Sequence, residues 1–146
     1  DQNTAEQLSS RLLSGNFTFD DFLLQIQQIK KMKDQGLGKW MPNSPLFQAP
    51  EAYGNELKIY ESILLSMTKE ERQHSNLLTS SYRRARITKG SGVTISDFNK
   101  FLKRYQSMKK MSQKIRKTDP KKLKSMLDAF SGGGSFLSNV KDLFSK

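Results

Sequence analysis

Apolar side chains in this 146-residue chain recur at three- and four-residue spacings in every long segment, and nowhere do they alternate strictly with polar ones. That period places them on one stripe of a helix, whereas a half-buried strand needs period two. The sequence therefore predicts an all-α fold, a small multi-helix domain. One stripe is Phe19, Phe22, Leu23, Ile26, Ile29 and Met32; a second is Leu57, Tyr60, Ile63, Leu64 and Met67. Leu77, Leu78, Tyr82, Ala85 and Ile87 form a third, expected as the apolar face of a short helix. Ile95, Phe98, Leu102, Tyr105 and Met108, with Phe101 beside them, predict the buried side of the next. Helix starts are legible too. Thr18 precedes Asp20 and Asp21, Thr68-Lys69-Glu70-Glu71 is a capping box, and Thr94 with Asp97 repeats the pattern. Thr118-Asp119-Pro120 opens a further helix.

Between Asp34 and Gly54 the helical signal disappears. Gly36, Gly38, Pro42, Pro45 and Pro50 sit among Leu37, Trp40, Met41, Leu46, Phe47 and Tyr53. A loop of about twenty residues inside a compact domain is usually functional or disordered, and its large apolar groups need a surface to cover. The expected organisation is an N-terminal linker helix over 1–14, a main domain over 15–117 and a basic tail over 118–146. Two helices joined near Gly90-Ser91-Gly92 predict a helix-turn-helix over 77–114. The tail holds a Gly-rich tether at 131–135 and the apolar residues Phe136, Leu137, Val140, Leu143 and Phe144.

Charge divides the chain as sharply as pattern does. Residues 1–68 carry a net −2 and residues 69–146 a net +13, giving +11 overall. A basic half joined to a neutral, apolar one predicts two tasks, the electrostatic partner being nucleic acid or an anionic membrane surface. Zero cysteines exclude a disulfide framework and thiolate chemistry. With a single histidine, His74, expected in solvent, no metal or cofactor is expected. Asp20/Asp21 and Glu70/Glu71 are neighbours on helices, so their carboxylates diverge and no enzyme is predicted. The longest uncharged runs, Trp40–Pro50 and Ala129–Val140, are too short to span a bilayer. The chain opens without Met or a basic-then-apolar leader, which predicts a piece of a longer protein in the cytoplasm or, alternatively, an organelle stroma.

The densest chemistry lies in Ser81–Val93. Arg83 and Arg86 are three apart on one helix face, Arg84 and Lys89 add charge, and guanidinium groups suit phosphates and base edges. Gly90 and Gly92 let a backbone approach a ligand closely, and Ser91 adds a hydroxyl suited to ribose. The plainer alternative is a solvated charged helix with an ordinary glycine cap.

The run Arg83-x-x-Arg86-Ile87-x-x-Gly90-Ser91-Gly92, followed by Asp97-Phe98-Asn99-x-Phe101-Leu102-x-x-Tyr105, resembles the RNA-binding motif of the methionine-rich M domain of the signal recognition particle GTPase subunit. Phe17–Phe22 is similar to that family's first M-domain helix, and Ser66–Arg72 to the segment before its RNA-binding helices. The resemblance implies that Arg83, Arg86, Gly90, Ser91 and Gly92, with Arg84, Lys89 and Ser66, contact the particle's RNA. It also implies a hydrophobic groove for signal sequences of nascent chains, closed by a flexible finger loop over 34–54. Phe19, Phe22, Leu23, Ile26, Trp40, Met41, Leu46, Phe47, Leu57, Tyr60 and Leu64 are its expected lining. The ribosome and the rest of the GTPase subunit are implied partners in co-translational targeting. Three departures stand out. The chain has six Met where the family groove is Met-rich. Tyr82 replaces the Ser usual in bacterial relatives, and is expected to pack in the core ahead of stacking on a base. No GxxxxGK[ST] occurs, so the chain itself is not expected to hydrolyse GTP.

A DNA-binding helix-turn-helix is the alternative reading. Such proteins place base contacts on the second helix, however, and that reading leaves the Trp40–Phe47 loop without a task. Anionic membrane contact through Lys109–Lys124 is a third. The apolar terminal segment Phe136–Phe144 is expected either to fold into the groove, its own or a neighbour's, with self-association in the latter case, or to pack in the core or stay disordered.

Overall fold

A computed structural model describes residues 2–34 and 50–131. Seven α-helices and one 3-10 helix follow in order among them: α1 (Gln2–Ser14), α2 (Phe19–Asp34), α3 (Pro50–Leu65), α4 (Lys69–Gln73), the 3-10 helix (Ser75–Thr79), α5 (Ser81–Ser91), α6 (Ile95–Lys117) and α7 (Pro120–Ser131). The described residues contain no strand.

Reciprocal caps set the helix starts. The Thr18 N–H donates to Asp21 Oδ2 at 2.9 Å and the Asp21 N–H to Thr18 Oγ1 at 3.2 Å. Thr68 with Glu71, and Thr94 with Asp97, form complete capping boxes. Asp21 also receives Arg11 Nε at 3.2 Å, tying α1 to α2.

The core is largely aromatic. Phe19 and Phe22 of α2 face Phe101 and Tyr105 of α6, with the Phe19 and Tyr105 centroids 4.0 Å apart and the Phe22 and Phe101 rings stacked at 5.5 Å. Tyr60 of α3 meets Phe101 edge-on at 5.5 Å. Phe17, Ile26, Ile63, Leu64, Met67, Leu78, Ile87 and Phe98 complete the buried cluster. The Tyr105 hydroxyl donates to the Phe17 carbonyl at 2.8 Å and Ser112 to the Leu12 carbonyl, fastening the α1–α2 connection onto α6.

Several sequence expectations shift. α3 begins at Pro50, so the predicted loop gives up 50–54 to helix and Asp34 to α2; residues 35–49, with Trp40, Met41, Leu46 and Phe47, lie outside the described residues. So does the terminal segment 132–146 with its tether and apolar positions. The third stripe does not make one helix: Ser75–Thr79 is 3-10, and Ser80 caps a separate α5. Tyr82, expected in the core, is 76% exposed, and Ile95 is 73% exposed. Both sit in a helix's first turn, where the core does not reach and the stripe alone cannot tell.

Candidate functional site

α5 holds four cations (Arg83, Arg84, Arg86 and Lys89) and no acid. Its buried contact is Ile87, and its apolar needs are small. One acid outside α5 organises it. Glu71, in the first turn of α4, has a completely buried side chain, yet it accepts Arg83 Nη1 on Oε2 at 3.0 Å and Arg86 Nη2 on Oε1. Its Oε1 also accepts the Thr68 N–H at 2.8 Å. Burial pushes the carboxyl up, but the Thr68 N–H, both guanidinium groups and the charge of Arg86 outweigh it and hold it below the ordinary carboxylate range.

A guanidinium has five N–H donors, and each arginine spends one on Glu71. Their side chains stay 32% and 39% exposed. The buried carboxylate thus orients both forks without consuming them. Arg72, beside Glu71, fixes α4 in turn: its Nε donates to Asp20 Oδ1 at 2.9 Å and its Nη1 to the Met67 carbonyl at 3.0 Å.

The C-terminal corner of α5 is bare. Gly92 closes the helix at φ 73°, a left-handed cap that side chains other than glycine strain to adopt. Gly90 lies within the last turn of the helix, and apart from its chain neighbours and the helix's own backbone no atom lies within 4 Å of where its Cβ would be. Ser91 donates its hydroxyl to the Ile87 carbonyl at 2.8 Å, which leaves its oxygen free to accept. Ser66, just past α3, donates likewise to the Ser62 carbonyl at 2.8 Å. Arg84 and Lys89 are exposed.

The apolar feature is a cleft of about 290 Å³ between α2, α3 and α6. Phe22, Ile26, Leu57 and Tyr60 line it, as expected positions, together with Ile29, Met108 and Met111. Phe19, Leu23 and Leu64 are not among the residues that line it, although Phe22, Ile26 and Tyr60 belong to the same buried cluster and do. Five of the eleven lining residues carry polar groups. Tyr60 donates its hydroxyl to Glu56 Oε1 at 2.7 Å, and burial followed by that carboxylate pushes its pKa well above the ordinary phenol range. Arg104 and Ser107 complete the lining with Gln25. Among the described residues only Gln25 has a buried side-chain atom, Oε1, without a hydrogen-bond partner.

Glu71 and the α6 wall of the cleft are what the sequence reading missed. Glu71 was legible as a cap, but its partners are twelve and fifteen residues away, beyond any local pattern. Met108 and Met111, three apart on α6, were a usable signal, since flexible thioethers suit a variable apolar ligand. No described group of acids and histidine forms a metal site, and no described helix is long and apolar enough to cross a membrane.

The family described as "Signal peptide binding domain" matches residues 1–130. The chain is 34% identical over 137 residues to a "Signal recognition particle protein" of Helicobacter pylori strain J99, covering 88% of this chain and 30% of that protein. It is 34% identical to the protein of that name in Streptococcus mutans, over 84% of this chain and 24% of the relative. The Bacillus subtilis protein of the same name is 33% identical, over 79% and 26%. The chain thus spans less than a third of the length of these curated relatives. No solved structure matches it significantly.

Proposed function

The chain belongs to the signal peptide binding domain family of signal recognition particle proteins, and on that footing we propose that it joins two ligands in co-translational targeting from the cytoplasm. Signal-sequence binding is the task of the family. Its finer assignment here is to the cleft of α2, α3 and α6, whose apolar lining and paired Met108 and Met111 suit a hydrophobic helix of variable sequence. The particle's RNA is assigned to α5, through Arg83 and Arg86 with Arg84, Lys89, Ser66 and the corner Gly90-Ser91-Gly92. The ribosome and the GTPase part of the longer protein are further partners.

The observation that carries the RNA reading is the buried Glu71 carboxylate holding two part-exposed guanidinium forks beside a bare backbone corner. Forks fixed in advance lose little freedom on meeting phosphates or base edges. A solvated helix with no ligand has no use for a buried acid that aligns two arginines, since burying a carboxylate is itself costly.

A hairpin carrying the internal loop of a bacterial signal recognition particle RNA, and DNA of the same sequence, provide the test by gel shift. Arg83→Ala with Arg86→Ala, made in a Glu71→Gln background so that no buried charge is stranded, should weaken RNA binding by about 3–6 kcal/mol. The wild-type log K should fall steeply with log salt. Ile29→Asp should instead reduce crosslinking of an apolar signal peptide and spare RNA. Equal affinity for DNA, or RNA binding indifferent to the arginines, would overturn the assignment.

A further inference from the structure

Tyr82 has no structural task on the inner side of the molecule. The two other tyrosines with described side chains are buried, Tyr60 with its hydroxyl on Glu56 and Tyr105 with its hydroxyl on the Phe17 carbonyl. Tyr82 is 76% exposed, and among the described residues its ring has no aromatic neighbour and its hydroxyl no hydrogen bond. It precedes Arg83 directly and stands one helical turn before Arg86 and two before Lys89, so Tyr82, Arg86 and Lys89 share a stripe on α5. Ala85, on the same side, is exposed as well. That stripe therefore presents one flat ring followed by cations, with no acid anywhere on the helix.

We propose that Tyr82 is a stacking platform for an unpaired base of the bound RNA, whose phosphates run toward Arg86 and Lys89. The inference rests on the RNA-binding reading above and adds a selectivity to it. Arginine forks bind the backbone of any polyanion, whereas an exposed ring gains only from a base that is free of its own stack. A ring at one end of the cationic stripe thus favours an internal loop over a fully paired helix of equal charge. The phenol ring suits this role because it has only two side-chain torsions to fix on binding.

The experiment compares two hairpins, one carrying the internal loop of a bacterial signal recognition particle RNA and one with that loop replaced by paired bases. Tyr82→Ala should weaken binding of the looped hairpin about five- to hundredfold, leaving the paired hairpin's affinity and both salt slopes unchanged. Tyr82→Phe should bind the looped hairpin within about twofold of wild type. Circular dichroism should be the same for all three proteins, since the side chain is outside the core. Wild-type affinity of Tyr82→Ala for the looped hairpin, with the arginine variant still defective, overturns the stacking role and leaves the RNA reading standing. Equal loss on both hairpins, or a Tyr82→Phe loss as large as that of Tyr82→Ala, overturns it too. Failure of the wild-type chain to bind either hairpin removes the RNA reading itself. Loss of binding to phosphatidylserine vesicles on Tyr82→Ala, with RNA binding intact, would reassign the ring to a membrane surface and refute the proposal.

Discussion

The cleft and the α5 face are built on opposite principles. Around the cleft, shape is set by many weak contacts: Phe19, Phe22, Tyr60, Phe98, Phe101 and Tyr105 share ring contacts across three helices, and no single pair decides the arrangement. At α5 one carboxylate decides it, since Arg83 and Arg86 both close on Glu71. Removing a ring from a packed aromatic cluster costs stability, because a ring such as Phe101 touches several others. A charge-organised face can lose its function while the fold persists. The same chain thus holds one region shaped by packing shared among many rings and one whose geometry comes from a few directed hydrogen bonds.

Phe101→Ala tests the first half of that contrast and carries the largest expected effect. Phe101 touches Phe19, Phe22, Tyr60 and Phe98, so its removal leaves a cavity beneath the cleft. Unfolding free energy in urea should fall by about 3–5 kcal/mol. Under conditions where the variant is still folded, signal-peptide crosslinking should drop while RNA affinity stays at the wild-type value. A matching loss of RNA affinity would join the two regions into one cooperative site.

Glu71→Gln makes the reverse cut. The amide keeps the volume and part of the capping box but removes the charge that aligns the guanidinium groups, so stability should fall by about 1–3 kcal/mol. RNA affinity should drop and peptide crosslinking should not. Acid should reproduce the effect. Because the native carboxyl titrates below its ordinary value near 4.3, its contribution is full above that value and is lost as pH falls through the native pKa. The stability difference between wild type and Glu71→Gln should therefore be large at pH 7 and shrink on acidification. A difference that is flat with pH would mean that Glu71 acts by shape alone.

These two regions were unequally legible before any coordinates. The aromatic stripes of α2, α3 and α6 were readable because burial follows the helical period wherever a helix crosses the core, and Thr68–Glu71 and Thr94–Asp97 because caps are local. Tyr82 and Ile95 followed the same period and are nonetheless exposed, since each lies in a first turn beyond the core's edge. Phe22, Ile26 and Tyr60 belong to the core and line the cleft as well, whereas Phe19 and Leu64 are core alone, a distinction that a stripe does not carry. The split of Leu77–Ile87 into a 3-10 helix and a separate α5 was hidden because Ser80 and Ser81 continue no pattern and break none. Glu71 was visible as a cap yet invisible as an anchor. Its second role depends on how α4 is set by Arg72 against Asp20 and the end of α3, contacts made by folding and not by spacing.

Gly90→Ala carries the smallest effect and separates structure from function most cleanly. The residue is helical, near the end of α5, and a Cβ there would meet nothing within 4 Å beyond its chain neighbours and its own helix backbone. Alanine in an exposed helical position is favoured over glycine by about 0.5–1 kcal/mol, partly through lower entropy of the unfolded chain. The variant should therefore be slightly more stable than wild type in urea. If a nucleic-acid backbone closes on this corner, the added methyl occupies the space it needs, and RNA affinity should fall although every contact within the protein is intact. Greater stability with unchanged RNA affinity would show that the open space at Gly90 is only solvent, and would confine the interface to the arginine side of α5. Gain in stability together with loss of binding places the ligand over the corner itself, because no intramolecular change has both signs.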